Sequence, residues 1–322
     1  MNNSWQKIDV VFDVKSPLHI GYLPSKGSVI SHTRYFIPGK NFWGAITKKV
    51  TESIYQKPNA RHYQIIGKEI KDNFRFSYFY IFYNNKILNP IYRSNGLFYG
   101  LNGIISKTKF EHIFIGSQIS TAIDSKTKIS FDKSLHELEY IKNTYRNENS
   151  CLHTTQIIGS IWIKHNCQIA NDVNLIINSN DDPGIFLNDT DINLIDQLTI
   201  GGEQNYGFGL VKIKSLLYDK LKIDYKTNST NVKILVKPIN PLTYHLKYEE
   251  NLSFKGELEI ISGREYQYDS DNASKDITNS FKRNPGKRIV IPEYYYSPGT
   301  KIECNQPFEA ILQWNGFLKK AD

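Results

Sequence analysis

Ile200-Gly201-Gly202-Glu203-Gln204-Asn205-Tyr206-Gly207-Phe208-Gly209-Leu210-Val211-Lys212-Ile213 is the stretch around which the chain is organised. Glycines at 201, 202, 207 and 209 bracket a polar insert, and the apolar positions Leu210, Val211 and Ile213 follow at once, which predicts a loop running into a strand. Glycine tolerates positive φ and lets a second backbone come close, so such a cluster can offer several N–H groups to one anion. A tight hairpin with a bulge fits the same pattern. The dinucleotide fingerprint is excluded because it opens a helix, and a Walker loop because no Gly-Lys-Ser/Thr follows.

The 322 residues suffice for one large or two ordinary domains, and 40% hydrophobic with 13% aromatic content can fill a core. Forty Lys and Arg against 32 Asp and Glu give a formal charge of +8, which suits a polyanion without requiring one. Cys151, Cys167 and Cys304 form no C-x-x-C pair, and their odd number argues against a disulfide framework, so a reducing cytoplasm is expected. Met1 to Val14 lacks the layout of a signal peptide, and no run approaches the ~18 apolar residues of a membrane span.

Lys7 to Val14 alternates and stops at Ser16-Pro17, which predicts a first strand, and Leu18 to His32 reads as a flexible connector. Arg34 to Gly39 predicts a short strand closed by a Pro-Gly turn, after which Phe42, Trp43, Ile46, Val50 and Ile54 recur at helical spacing. Phe74 to Tyr83 predicts a strand buried on at least one face, with Ser77, Tyr78, Tyr80 and Tyr83 suited either to a core or to stacking on bases. Phe110 to Ile115, Gln118 to Ile123, Ser134 to Lys142 and Gln156 to Lys164 predict further strands. Ile192, Ile195 and Leu198 predict a short helix, with Asp189 and Asp191 suiting its start. Beyond the strand Val211 to Tyr218 and a polar linker, Asp219 to Asn231, strands are expected at Val232 to Val236, Gly256 to Ile261, Arg288 to Ile291 and Phe308 to Trp314. Asp269 to Pro285 reads as a polar loop. The layout predicts an α+β fold: a ferredoxin-like domain over 1–218 and a second, mostly β domain over 219–322.

Four stretches carry a family resemblance. They are Ser16-Pro17-Leu18-His19-Ile20-Gly21, the Pro-Gly box from Thr33 to Ala45 opening the first helix, Thr121 to Lys128 with Leu135 and Glu139-Tyr140-Ile141 beyond it, and the glycine loop Gly201 to Gly209. In this order they resemble the RAMP superfamily of CRISPR-associated RNA-binding proteins. The resemblance implies RRM-related, ferredoxin-like domains assembled along a guide RNA, gripped through backbone phosphates that carry no base specificity. It places Gly201, Gly202, Gly207 and Gly209 against phosphates, Tyr206 or Phe208 against base faces, and Arg34, Gly39, Lys40, Lys48 and Lys49 along the RNA path. An ordinary solvated helix face accounts for the lysines equally well. The implied partners are guide RNA and companion effector subunits, with target RNA a candidate further ligand and no membrane. In members that process guide precursors the glycine loop lies near the C-terminus, whereas about a third of this chain follows it. The closest likeness is therefore a handle-binding subunit of a type III, III-D-like complex.

Subunits that cut target RNA resemble one another in an acidic residue on the loop after the first strand, and Gly21 to Thr33 contains no Asp or Glu. Target cleavage is not expected, and no cofactor or metal is called for: the eight histidines form no H-x-x-x-H pair. His19 and His32 are the candidates if the chain is instead a metal-independent endoribonuclease acting on precursor RNA. Asp124, beside Lys126 and Lys128, suits an ion pair better than catalysis. A scaffold that touches protein alone is the third alternative.

Overall fold

The computed structural model describes residues 5–21, 29–101, 103–130, 134–147, 149–165, 167–169, 173–178, 183–187, 192–261 and 292–321. It is mixed and strand-rich, an α+β architecture. The fold is built on a seven-stranded sheet in which Gln156–Lys164 lies between the first strand, Trp5–Val14, and the strands Phe74–Phe76 and Tyr80–Tyr83. Leu210–Leu217 flanks the first strand on its other side, followed by Gln197–Thr199, and every one of these ladders is antiparallel. Gln156–Lys164 is buried at seven of its nine positions because the sheet is covered on both faces, so its sequence reads as a nearly continuous apolar run.

Strand alternation divides the side chains between two cores. Ile8, Val10, Phe12 and Val14 of the first strand join Ile157, Ile161 and Ile163 under the helices. Helix α1 (Gly39–Ile54) contributes Phe42, Ile46 and Val50, and helix α2 (Ala60–Asn73) contributes Ile66 and Ile70. The opposite face presents Trp5, Trp162, Tyr78 and Tyr80 to a second seven-stranded sheet drawn wholly from residues 225–320. Polar atoms on that face are tied across the seam: Trp5 Nε1 donates to Asn228 O at 3.0 Å, and Tyr80 Oη to Thr243 O at 2.8 Å. The buried Asp9 accepts from Ser160 Oγ at 2.6 Å and from the Leu221 amide at 2.8 Å. Its neighbour Lys7 pairs with it at 3.0 Å and donates to Leu221 O at 2.7 Å, so one ion pair fixes the start of the C-terminal part.

Several elements differ from the sequence expectation. Phe110 to Ile115 is not a strand: helix α3 (Lys107–Phe114) forms, with Phe110 and Phe114 one turn apart in the core and Ser106 Oγ capping the Lys109 amide. The short helix expected around Ile192 is a turn leading into Gln197–Thr199, in which Asn193 Oδ1 takes the Ile195 amide. Arg34 to Gly39 contributes a single bridge, Ile37 to Phe79, rather than a strand. Helix α2 went unread, and the polar linker holds the strand Tyr225–Thr227. Phe74 to Tyr83 is broken where Ser77 Oγ donates to Tyr78 O and accepts the Ser160 amide. Tyr78 and Tyr80 are core residues, 2% and 4% exposed, and not a stacking platform. Asp189, Asp191, Asp269 to Pro285 and Arg288 to Ile291 lie outside the described residues.

Two variants probe these layers. A Cβ on Gly159 would fall within the Phe79 ring, which is stacked on Phe42 at 3.8 Å and cannot yield. Gly159→Ala is expected to lower stability by about 1–3 kcal/mol, read from the urea midpoint. Asp9→Ala leaves the buried Lys7 ammonium with only Leu221 O and the exposed Asp219 at 3.7 Å and is expected to cost about 3 kcal/mol, whereas an unchanged midpoint would remove this pair from the framework.

Candidate nucleic-acid interface

The glycine loop is shaped first by its own chain. The Gly209 amide donates to Pro17 O at 2.8 Å and the Gly202 amide to His19 O at 2.8 Å, so the loop clamps the Pro17 to Ile20 segment. Gly201 at φ +83° and Gly209 at φ +94° occupy the left-handed region, and a Cβ on either would strike His19 O or Ile200 O. Their smallness serves this close packing. The amides of Tyr206, Gly207 and Phe208 also go to carbonyls of the loop, so the expected cradle of glycine N–H groups is largely filled from within. Among the described residues, the amides of Glu203, Gln204 and Asn205 take no such partner. Tyr206 stands 80% exposed between them and Gly207, around which there is open space. Phe208 is only 8% exposed and meets Tyr140 edge-on at 5.6 Å, which withdraws it from base stacking.

The expected cations separate into two groups. Lys49 Nζ lies 3.5 Å from Gln197 O, at the strand that feeds the loop, and the exposed Lys48 is beside it on α1. Lys212, exposed and on the same ladder rung as Gln197, was missed, although its alternation with Val211 and Ile213 marks it as outward-facing. Gly39, Lys40 and Arg34 lie elsewhere, at the seam with the C-terminal sheet. Gly39 is packed against Phe76 and Gly316, and the Lys40 amide donates to Asn315 O at 3.0 Å. Desolvation, and after it the charge of Arg34, lowers the Lys40 ammonium from its ordinary value. The start of α1 therefore meets protein through Gly39 and its backbone, while Lys40 itself stays exposed at the surface.

Arg34 is committed to a polar chain that runs through the seam. Its guanidinium donates to both Glu259 oxygens, and Glu259 also accepts from His245 Nε2 at 2.8 Å. The other nitrogen, His245 Nδ1, receives the Tyr78 hydroxyl proton at 2.6 Å. Burial lowers the His245 imidazole, so the chain runs through a neutral ring. Burial also pushes the Glu259 carboxyl up, but the hydrogen bonds from His245 and Arg34 outweigh it and hold the group at about 2.

The two histidine candidates do come together. His19 Nδ1 lies 2.7 Å from the Glu139 carbonyl, and His32 Nδ1 lies 2.9 Å from a carboxylate oxygen of the same residue. Both partners only accept, so each imidazole turns an Nδ1–H toward Glu139. They line a cleft of about 760 Å³ at the seam. Asp124 is not paired with lysine: its Oδ1 takes the amides of Lys126 and Thr127 at 2.7 and 3.0 Å, closing a turn, and these bonds lower its carboxyl. Most of the Gly21 to Thr33 loop, residues 22–28, lies outside the described residues. Among the described residues no group of three acidic, His or Cys side chains is arranged for a metal, and no helix is long and apolar enough to cross a membrane.

No protein family and no curated protein matches the sequence. Among solved structures, the chain is similar to one in a cryo-EM structure of the Type III-B Cmr-beta bound to cognate target RNA, at 12% identity and TM-score 0.46, over 91% of this chain and 86% of that one. It is similar to a chain of the Type III-B Cmr-beta apo state at 9% identity and TM-score 0.37, over 67% and 98% of the two chains. A crystal structure of Cmr4 is similar at 14% identity and TM-score 0.26, over 66% and 99%.

The seam chain makes a pH prediction with a definite sign. His245 and Glu259 are both lowered in the folded chain, against ordinary values of 6.5 and 4.5, so each stabilises the fold above its ordinary value and loses this as pH falls. Thermal unfolding is expected to be level near pH 8, to weaken below about 6.5 and to weaken again from about 4.5 toward 2. Glu259→Gln should shrink the lower step, to which the lowered Glu309 also contributes, and a flat acid limb in the parent protein would contradict this assignment.

Proposed function

We propose that this chain is a non-catalytic RNA-binding subunit of a CRISPR type III effector complex, a RAMP protein acting in the cytoplasm that holds the guide RNA, and within it the 5′ handle. Residues 1–218 form the RNA-binding domain and 219–322 a second domain. The four main strands of the first sheet, in chain order one to four, lie side by side as four, one, three, two, with α1 and α2 crossing between the first and second. That succession supports a ferredoxin-like assignment. The observation that carries the functional reading is the exposed Tyr206 on the glycine loop, with Lys48, Lys49 and Lys212 around the strands that enter and leave it. An aromatic face among cations suits single-stranded RNA held by stacking and phosphate contacts.

The test is a salt titration of the full chain against short single-stranded RNAs of unrelated sequence. Binding should weaken steeply with salt on every sequence alike. Neutralising Lys48 and Lys49 to Gln should flatten the log–log slope by about 0.7 for each lost contact. Tyr206→Ala should cost about 1–3 kcal/mol of affinity and leave unfolding unchanged. A flat salt dependence would favour a protein-only scaffold.

The convergence of His19 and His32 on Glu139 favours one second reading, a metal-independent endoribonuclease. Incubation with repeat-containing RNA in chelator decides it. Cleavage that disappears in both His19→Ala and His32→Ala would establish the enzyme, and intact RNA with the parent protein would exclude it.

A further inference from the structure

The cleft lined by His19 and His32 has a chemistry opposite to that of the chain as a whole. Its lining includes two carboxylates, Glu139 and Glu257, and the imidazoles of His19 and His32, whose Nδ1 atoms are engaged by Glu139. Glu257 accepts the Tyr92 hydroxyl at 2.8 Å and has no cationic partner among the described residues. His19 is only 5% exposed, and its Nε2 meets nothing closer than Ser31 Oγ at 3.4 Å. The lining also includes one lysine, Lys107, already paired with Glu111 at 3.7 Å, while the Arg34 guanidinium is taken by Glu259. Tyr92 and Tyr99 supply aromatic wall.

Among the described residues, a phosphate entering this cleft would meet the Glu139 and Glu257 carboxylates and no cation without an acidic partner. The complementary ligand brings several donors, positive charge and a flat face that lies against tyrosine. A guanidinium has all three: five N–H donors in a rigid fork, a permanent charge and favourable stacking on aromatic rings. A guanine edge also brings donors but no charge to set against the unpaired Glu257. We propose that the cleft is a docking site for an arginine side chain on a segment of a partner protein, with Glu257 as its counter-ion. The site is separate from the phosphate path proposed above and stands without it.

The test uses the full chain and a fluorescein-labelled peptide in which two arginines alternate with glycine, beside the same peptide with glutamine in their place. The arginine peptide should bind at least tenfold more tightly than the glutamine peptide, and Glu257→Gln should erase that difference. Glu257 is exposed, so the variant should unfold like the parent. Glu139→Gln supplies a second, independent loss. Equal binding of the two peptides by the parent, or full discrimination retained in Glu257→Gln, would overturn the proposal. Displacement of the arginine peptide by guanosine would overturn it in favour of a nucleobase pocket. RNA affinity measured on the same variants should not change, and this keeps failure here distinct from failure of the RNA-binding reading.

Discussion

Closure of one face of the first sheet governs everything else in this molecule. Trp5, Trp162, Tyr78 and Tyr80 turn their rings away from the helices and are buried under strands from residues 225–320. Burial of four such side chains contributes on the order of 1.5–3 kcal/mol each, provided their polar atoms are satisfied. The contacts from Trp5 to Asn228, Tyr80 to Thr243 and Tyr78 to His245 meet that condition for three of the four, while the buried Trp162 Nε1 has no hydrogen-bond partner among the described residues. The seam is therefore both apolar and directional, and neither sheet can slide on the other without breaking the Asp9 and Glu259 networks.

The functional surface follows from this closure. A sheet face that would otherwise be free for bases is occupied by protein, and the proposed nucleic-acid path therefore runs along the loop edge. The glycine loop is held there by backbone bonds to Pro17 and His19, so the close approaches of Gly201 and Gly209 build the platform, and Tyr206 stands on it. The seam also creates the acidic cleft, because Glu139 comes from one side and Glu257 from the other. The two proposed sites thus have opposite charge preference.

Periodicity and glycine placement made much of the first sheet legible. The strands at Lys7 to Val14, Gln156 to Lys164 and Val211 to Tyr218 were read nearly to their ends, as was α1, because alternation or helical spacing is unbroken in each. Helix α2 was missed since few of its residues are buried, and its start rests on the Asn59–His62 capping box. Helix α3 was misread because its phenylalanines suit either period, and the cap at Ser106 decides between them. At the site, exposure was the missing quantity. Tyr206 and Phe208 are equivalent on paper, yet Tyr140 covers one of them. Arg34 looks like an RNA contact until Glu259, 225 residues away, is placed beside it.

Ultraviolet cross-linking of the full chain to a single-stranded RNA, with the adducts mapped by mass spectrometry, tests the central claim most directly. If RNA is held at the loop edge and the sheet face is closed, adducts will fall on the segment containing Tyr206. Adducts on Tyr78, Tyr80 or Trp162 would show that RNA reaches the sheet face and would contradict this account.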